Sequence, residues 1–361
     1  IGLGNLMEVI WHCIEGALGG GDLDQRAVAT TADAPDIHRK QAVFGIPVQL
    51  HGNLDALRCT RPDIVFFAPP PTVAPTLIES DLRPYVEECR TQGRGLPDIY
   101  AFPPLPGGQH YRDVLGPDIN VVNLIPNNVS RIAGKSVTDE GYYVCSFPAP
   151  WPRDADQRLR RIFKNQGAHV EVPPRALVPM LGGTCTIFSL WRVVPAVTDI
   201  LIRRGYPVHH NRVGAFLRAR VQATTGYCPH LSTPAAGSTL DGFPAVFLTA
   251  VADGWYDGVG RFYRDIGFPS EAARIILTRG FDLILHTTQA ETRAALDRHA
   301  VGAATKGGVL EKAVATFHET IEPMMAAGAE GTLAEPWSKV LGAAVCRMAH
   351  SVKEHGLTLA G

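Results

Sequence analysis

Apolar residues recur at helical spacing through Met7, Val9, Ile10, Trp11, Ile14 and Leu18, directly after the turn-like run Ile1-Gly2-Leu3-Gly4-Asn5-Leu6. That order predicts a glycine turn opening an amphipathic helix. Gly19-Gly20-Gly21 breaks the pattern, and Ala27-Val28-Ala29-Thr30-Thr31 reads as a short buried strand ending in a polar loop. After Ile46-Pro47-Val48 comes Asp63-Ile64-Val65-Phe66-Phe67-Ala68, a continuous apolar run without alternation, as in a central strand covered on both faces. Pro69-Pro70-Pro71 ends it, because proline cannot continue a hydrogen-bonded ladder. Further strand patterns fall at residues 98–102, 120–125, 142–145 and 169–172, the last two bracketing an arginine-rich helix from Asp154 to Asn165. Strands alternating with helices predict a mostly parallel sheet.

From Pro173-Pro174 onward strand patterns disappear. Met180 to Arg204 reads as one mostly apolar helix closed by Gly205, Phe243 to Asp265 as another, and Gly267-Phe268-Pro269 with Ser270-Glu271 opens a third, while 206–242 is irregular in its second half. Helices apolar around much of their circumference must be buried on several sides, which predicts a core shared with a second subunit. The expected architecture is an α/β Rossmann domain over 1–173, binding NAD(P), followed by an all-α dimerisation and substrate domain over 174–361.

Composition narrows the function classes. The chain has 361 residues, 45% hydrophobic and 19% charged, with 34 basic and 35 acidic side chains giving a net charge of −1. No lysine-arginine run marks a nucleic-acid surface. The seven cysteines are scattered without a Cys-x-x-Cys pair, and the histidines do not fall at metal-ligand spacing, so no metal is expected. The longest apolar stretch, Ile187 to Ile202, is interrupted by Arg192 and Asp199, so no membrane partner is expected and a cytoplasmic setting is. His209-His210 reads as part of a solvated loop.

Glycines at a strand-to-helix turn let backbone approach a pyrophosphate, and the following helix offers free N–H groups and the positive end of its dipole. Gly2, Gly4, Asn5 and Leu6 are therefore candidate cofactor contacts. Where the second strand ends, an acid suits the ribose of NAD and basic or hydroxyl groups suit the 2′-phosphate of NADP. Thr30, Thr31, His38, Arg39 and Lys40 favour NADP, with Thr31 and Arg39 as the chosen pair, while Asp33 leaves NAD open. The second candidate stretch is Thr305-Lys306-Gly307-Gly308, just before the helical pattern starting at Val309. Paired glycines at a helix start expose N–H groups that hold a carboxylate. Gly307, Gly308 and Val309 are candidate substrate contacts, with Thr305 and Lys306 beside the reacting group. Thr184, Thr186, Tyr256, Tyr263 and Arg264 are further polar groups able to line a pocket.

The Gly-x-Gly start, a strand ending in Ala68-Pro69, another ending in Ile125-Pro126-Asn127, the Gly267-Phe268-Pro269 turn and Thr305-Lys306-Gly307-Gly308 follow one another as in the pyrroline-5-carboxylate reductase family, which the chain resembles over most of its length. The family's own stretches are a strand closing on Ala-Val-Lys-Pro, a Met-Pro-Asn signature, a Gly-Leu-Pro turn and a Ser-Pro-Gly-Gly-x-Thr helix start. Here Pro70 or a neighbouring proline stands where the family keeps lysine, Lys306 replaces the proline before the glycines, and Leu310 falls where the family has a threonine. Either the Met180 or the Phe243 helix is additional, with the segment near 205–242. The resemblance implies a homodimer that reduces the C=N bond of a small, cyclic imino acid with NADP or NAD. It places the nicotinamide near Ala68, Pro69, Pro126 and Asn127, and the substrate carboxylate on the 305–309 loop. A dehydrogenase of keto or hydroxy acids, needing a proton donor such as Lys306, and a non-catalytic nucleotide-binding sensor or scaffold are the alternatives.

Overall fold

The apolar runs become strands whose residues alternate between two helical layers. A computed structural model describes residues 1–2, 7, 11, 27–31, 34–126, 131–132, 135–136, 141–227, 240–303, 307–331 and 336–360. The chain divides into two units, Ile1–Ser130 with Tyr143–Leu177, and Arg131–Tyr142 with Val178–Gly361. The division therefore falls four residues later than the expected 173/174 boundary, inside the helix that starts at Pro174, and the 131–142 segment goes with the helical unit.

In the first unit the elements are β1 (Ala29–Thr31), α1 (Ile37–Phe44), β2 (Val48–Leu50), α2 (Asn53–Thr60), β3 (Ile64–Phe67), α3 (Arg83–Thr91), β4 (Asp98–Ala101), α4 (Gly108–Leu115), β5 (Val121–Pro126), β6 (Tyr142–Ser146), α5 (Arg153–Phe163) and β7 (Ala168–Glu171). β1 pairs with β2 in parallel, and a five-stranded sheet runs β3-β4-β5-β6-β7. Ile1 and Gly2 join the two. Gly2 N–H donates to Thr30 O (3.2 Å), while Ile1 N donates to Phe66 O (2.7 Å) and Ala68 N–H to Ile1 O (2.8 Å). The latter two form a parallel bridge across Phe67. The spatial order is thus β2, β1, Ile1–Gly2, β3, β4, β5, β6, β7, a doubly wound arrangement that reverses direction at the first residues.

Both faces of this sheet are covered. Tyr100, Phe102, Val122 and Leu124 pack with Met7, Trp11, Phe44, Leu159 and Phe163 on one side. Val65, Phe67, Ile99, Ala101 and Val121 pack with Leu82, Tyr85, Val86, Tyr111 and Leu115 on the other. Met7 and Trp11, one helical turn apart, lie in the first of these cores, and Trp11 meets Phe44 edge to face at 5.4 Å. β3, β4 and β5 are parallel as the sequence predicts, but β6 runs antiparallel to β5, with Leu124 opposite Cys145. The link between them carries a two-residue ladder, Arg131–Ile132 with Lys135–Ser136, where a parallel return needs a crossover helix.

The second unit is helical: α6 (Pro174–Phe188), α7 (Leu190–Arg203), α8 (His210–Thr225), α9 (Gly242–Asp265), α10 (Ser270–Ala290), α11 (Arg293–Ala303), α12 (Val309–Thr316), α13 (Glu322–Glu330) and α14 (Pro336–Ala360). The single helix expected from Met180 to Arg204 is two, parted at Ser189, whose hydroxyl bonds back to Thr186 O at 2.7 Å, a contact that bends helices. By length and composition the Pro174–Arg203 run would suffice to cross a membrane, with an 18-residue stretch of mean hydropathy 1.6, yet 83% of that stretch is buried inside the protein, as in a core helix. The apolar circumference of α7 is likewise buried within this one chain, including Trp191, Val193, Val194 and Val197.

Candidate functional site

Parallel strands align their carboxyl ends, so Thr31, Ala68 and Pro126 close one edge of the sheet, and the order reverses at Ile1–Gly2. Ligands of open α/β sheets lie outside that edge at the reversal. Gly2 has φ +84°, a left-handed conformation, and a side chain there would place Cβ 2.6 Å from Ala68 O and 2.8 Å from Pro69 N. Backbone alone fits beside the end of β3.

At the end of β1, Thr31 O accepts His51 N–H (2.8 Å) and Thr31 Oγ1 accepts from Lys40 Nζ (3.0 Å). Lys40 is only 5% exposed. Beside it Thr30 Oγ1 is buried with no hydrogen-bond partner among the described residues. The other member of the basic pair is placed differently: Arg39, exposed on α1, grips Asp36 through two hydrogen bonds of 2.8 and 2.7 Å. A hydroxyl and an ammonium group thus stand at the strand end through Thr31 and Lys40. The sequence reading chose Arg39; the signal for Lys40 was its spacing of one turn from the buried Phe44.

Gly4, Asn5, Leu6, Asp33, Asn127, Thr305 and Lys306 lie outside the described residues. In the helical unit Gly308 caps α12 from an extended conformation, and Val309 is its first residue. Gly307 N–H donates to the Glu311 carboxylate, and His355 Nε2 donates to Gly307 O at 2.8 Å. One of the donors assigned to a substrate carboxylate is therefore engaged by the helix's own acid, a capping arrangement. Thr184 and Tyr263 form a buried hydroxyl pair at 3.2 Å, and burial pushes the Tyr263 phenol well above its ordinary pKa, so it stays protonated. Thr186 bonds back to Gly182 O, Tyr256 packs on Phe281, and Arg264 is exposed.

A cavity of about 500 Å³ opens among α7, α8 and α11, lined by Ile202, His209, His210, Glu291 and Arg293. Of the two histidines expected in a solvated loop, His209 is exposed and His210 is not. His209 is the N-cap of α8, and His210, its first residue, is buried and donates from Nε2 to Glu291 O at 2.9 Å. A helix start held between two other elements withdraws His210 from water and leaves His209 exposed.

Neither a protein-family model nor a curated protein matches the chain. Among solved structures it is similar to a pyrroline carboxylate reductase from Plasmodium falciparum with NADP bound, at 10% identity over 98% of this chain and 96% of that one, with a TM-score of 0.39. A pyrroline-5-carboxylate reductase from Coxiella burnetii gives 14% identity over 97% and 96%, with a TM-score of 0.36. A prephenate dehydrogenase from Aquifex aeolicus, in complex with hydroxyphenyl propionate and NAD+, gives 12% over 94% and 93%, with a TM-score of 0.39. At these values the geometry of the chain itself, and not the relatives, has to support a function.

Proposed function

We propose that the protein is an NAD(P)H-dependent oxidoreductase, and more narrowly a reductase of the C=N bond of a small, cyclic imino acid. The observation that carries this reading is Gly2, left-handed, set where the strand order reverses and closed to any side chain by Ala68 and Pro69. The orphaned hydroxyl of Thr30 and the Thr31–Lys40 pair fit the ribose end of a dinucleotide there. A bound nicotinamide supplies the hydride. Thr31 and Lys40 hold a 2′-phosphate, which favours NADP over NAD, while Ala68, Pro69 and Pro126 wall the same edge. The sequence resemblance assigns the substrate carboxylate to the 305–309 loop. An imine that binds protonated already carries the charge that accepts hydride, so orientation supplies the catalysis without a separate acid. A homodimer, which rests on the sequence resemblance, and a cytoplasmic setting, which rests on the scattered cysteines and apolar pattern, complete the proposal.

The test is a fluorescence titration of the full chain with NADPH and NADH, followed by the loss of reduced-cofactor absorbance when pyrroline-5-carboxylate is added. Binding with turnover supports the imine reductase, and binding with turnover of a keto acid instead replaces it by a dehydrogenase. Failure to bind either cofactor overturns the whole reading. Gly2→Ala is expected to weaken NADPH binding, because a Cβ 2.6 Å from Ala68 O and 2.8 Å from Pro69 N must displace the backbone that faces the cofactor. Gly45→Ala, at φ +62° with nothing within 4 Å, carries the same strain without the contact and should leave binding intact.

A further inference from the structure

The last turn of α9 and the middle of α14 bring three unlike donors together. Asp265, Cys346 and His350 each offer one ligand atom, and the three atoms lie within 4.8 Å of one another. Cys346 and His350 are one turn apart on α14 and share a face. Asp265 is the final residue of α9, and its Oδ2 is 3.5 Å from Cys346 Sγ and 3.4 Å from His350 Nε2.

These separations have a specific reading. A hydrogen bond between imidazole and carboxylate closes to about 2.7–3.2 Å, shorter than the distance found. Ligand bonds of about 2.3 Å to sulfur and about 2.0 Å to nitrogen and oxygen, set tetrahedrally, put the sulfur–oxygen edge at about 3.5 Å and the nitrogen–oxygen edge at about 3.3 Å. The two distances to Asp265 Oδ2 match those edges, and the sulfur–nitrogen separation is within 4.8 Å. We propose that Asp265, Cys346 and His350 bind one Zn²⁺-type dication, with three protein ligands and a fourth, solvent-facing position beside the exposed carboxylate.

The surroundings support a cation there. Asp265 stands at the negative end of the α9 dipole, which disfavours a carboxylate. The neighbouring guanidinium groups are committed elsewhere: Arg261 donates to Asp257 Oδ2 at 2.8 Å, and Arg264 lies 3.9 Å from Asp257 Oδ1. The His350 ring is held edge-on against Phe262, ring centroids 5.0 Å apart, one turn before Asp265. The backbone below is fixed as well. Gly254 and Gly258 of α9 lie so close to α14 that a Cβ would come within 2.9 Å of Ser338 O and 2.6 Å of Gly342 O. Residue numbers rise together along this seam, so the helices run parallel and the next turns bring Asp265 to Cys346 and His350. A sulfur, nitrogen and oxygen donor set suits zinc above magnesium or calcium. The expectation of no metal came from spacing along the chain, and Asp265 is 81 residues from Cys346.

The test is a Co²⁺ titration of the chelator-treated full chain, read by absorbance, with Zn²⁺ as competitor. One equivalent of Co²⁺ should give tetrahedral d–d bands and a thiolate-to-cobalt charge-transfer band, both abolished by Zn²⁺. Cys346→Ser should remove the charge-transfer band, and Cys59→Ser, on an exposed cysteine of the other unit, should keep it. Asp265→Asn and His350→Gln, at positions not fully buried, should keep the helical circular dichroism and weaken Co²⁺ by at least the roughly 10- to 100-fold that loss of an outer-shell partner costs. The proposal is overturned if the parent shows no thiolate band, if the band survives in Cys346→Ser, or if both conservative variants bind Co²⁺ as tightly as the parent.

Discussion

Lys40 is a cation 95% withdrawn from water whose ammonium group meets Thr31 at the end of β1. Buried lysines are rare unless paired or functional. Replacing it with methionine keeps the stem and removes the charge. In the proposed NADP site, Lys40→Met is expected to lower the ratio of NADPH to NADH affinity by about 10- to 100-fold, the worth of a charge-assisted hydrogen bond of roughly 1.5–3 kcal/mol. Fluorescence titrations with both cofactors measure it, and an unchanged ratio assigns Lys40 to the core alone. The choice between Arg39 and Lys40 was partly legible: Asp36 stands three residues before Arg39, and Phe44 four after Lys40, which on a helix pairs the first and buries the second. What the sequence withheld was where α1 begins, and one residue of phase exchanges the two side chains.

At the scale of elements, the strands were read well where their apolar runs are continuous. β5 is buried on both faces and β3 on one face with the other half-buried, and they show it as Val121-Val122-Asn123-Leu124, interrupted only by Asn123, and the apolar run Ile64-Val65-Phe66-Phe67. The direction of β6 was missed because an alternating or apolar pattern carries no sign of which way a strand runs; the link before it decides. The parallel seam of α9 and α14 rests on its glycines. Gly258→Leu is expected to destabilise the helical unit by about 1–3 kcal/mol or more, as overpacking does. Gly260→Ala, whose nearest new contact is 3.6 Å, should stabilise it by up to about 1 kcal/mol through helix propensity. Thermal unfolding followed at the helical band distinguishes the two, and equal effects would show that the seam does not depend on close approach.

For the molecule as a whole, a departure from a simple apolar core among the described residues is the ion pair of Arg218 on α8 with Asp282 on α10, both side chains 5% exposed. Two hydrogen bonds of 2.9 and 3.0 Å join them, Gln222 adds one to Asp282 at 2.6 Å, and Arg218 also lies 2.8 Å from His286 Nδ1. Removing one partner strands the other charge out of water. Arg218→Met should therefore cost about 3–5 kcal/mol in denaturant unfolding, and Arg218→Met with Asp282→Leu should recover part of it. A double variant no more stable than the single one would show that Gln222 and His286, not charge, dominate the network.

Local periodicity determined where helices and strands lie, which faces they bury and where glycine must stand, because those depend on neighbours within a few residues. From the sequence alone came the sheet half and the helical half. Only the tertiary structure decided that Ile1–Gly2 sits between β1 and β3, that α7 finds its burial inside the same chain, that Arg218 meets Asp282 across 64 residues and that Asp265 meets Cys346 across 81. A pattern along the chain states that a side chain leaves water, but its partner is set by how whole elements pack, and many pairings satisfy the same pattern.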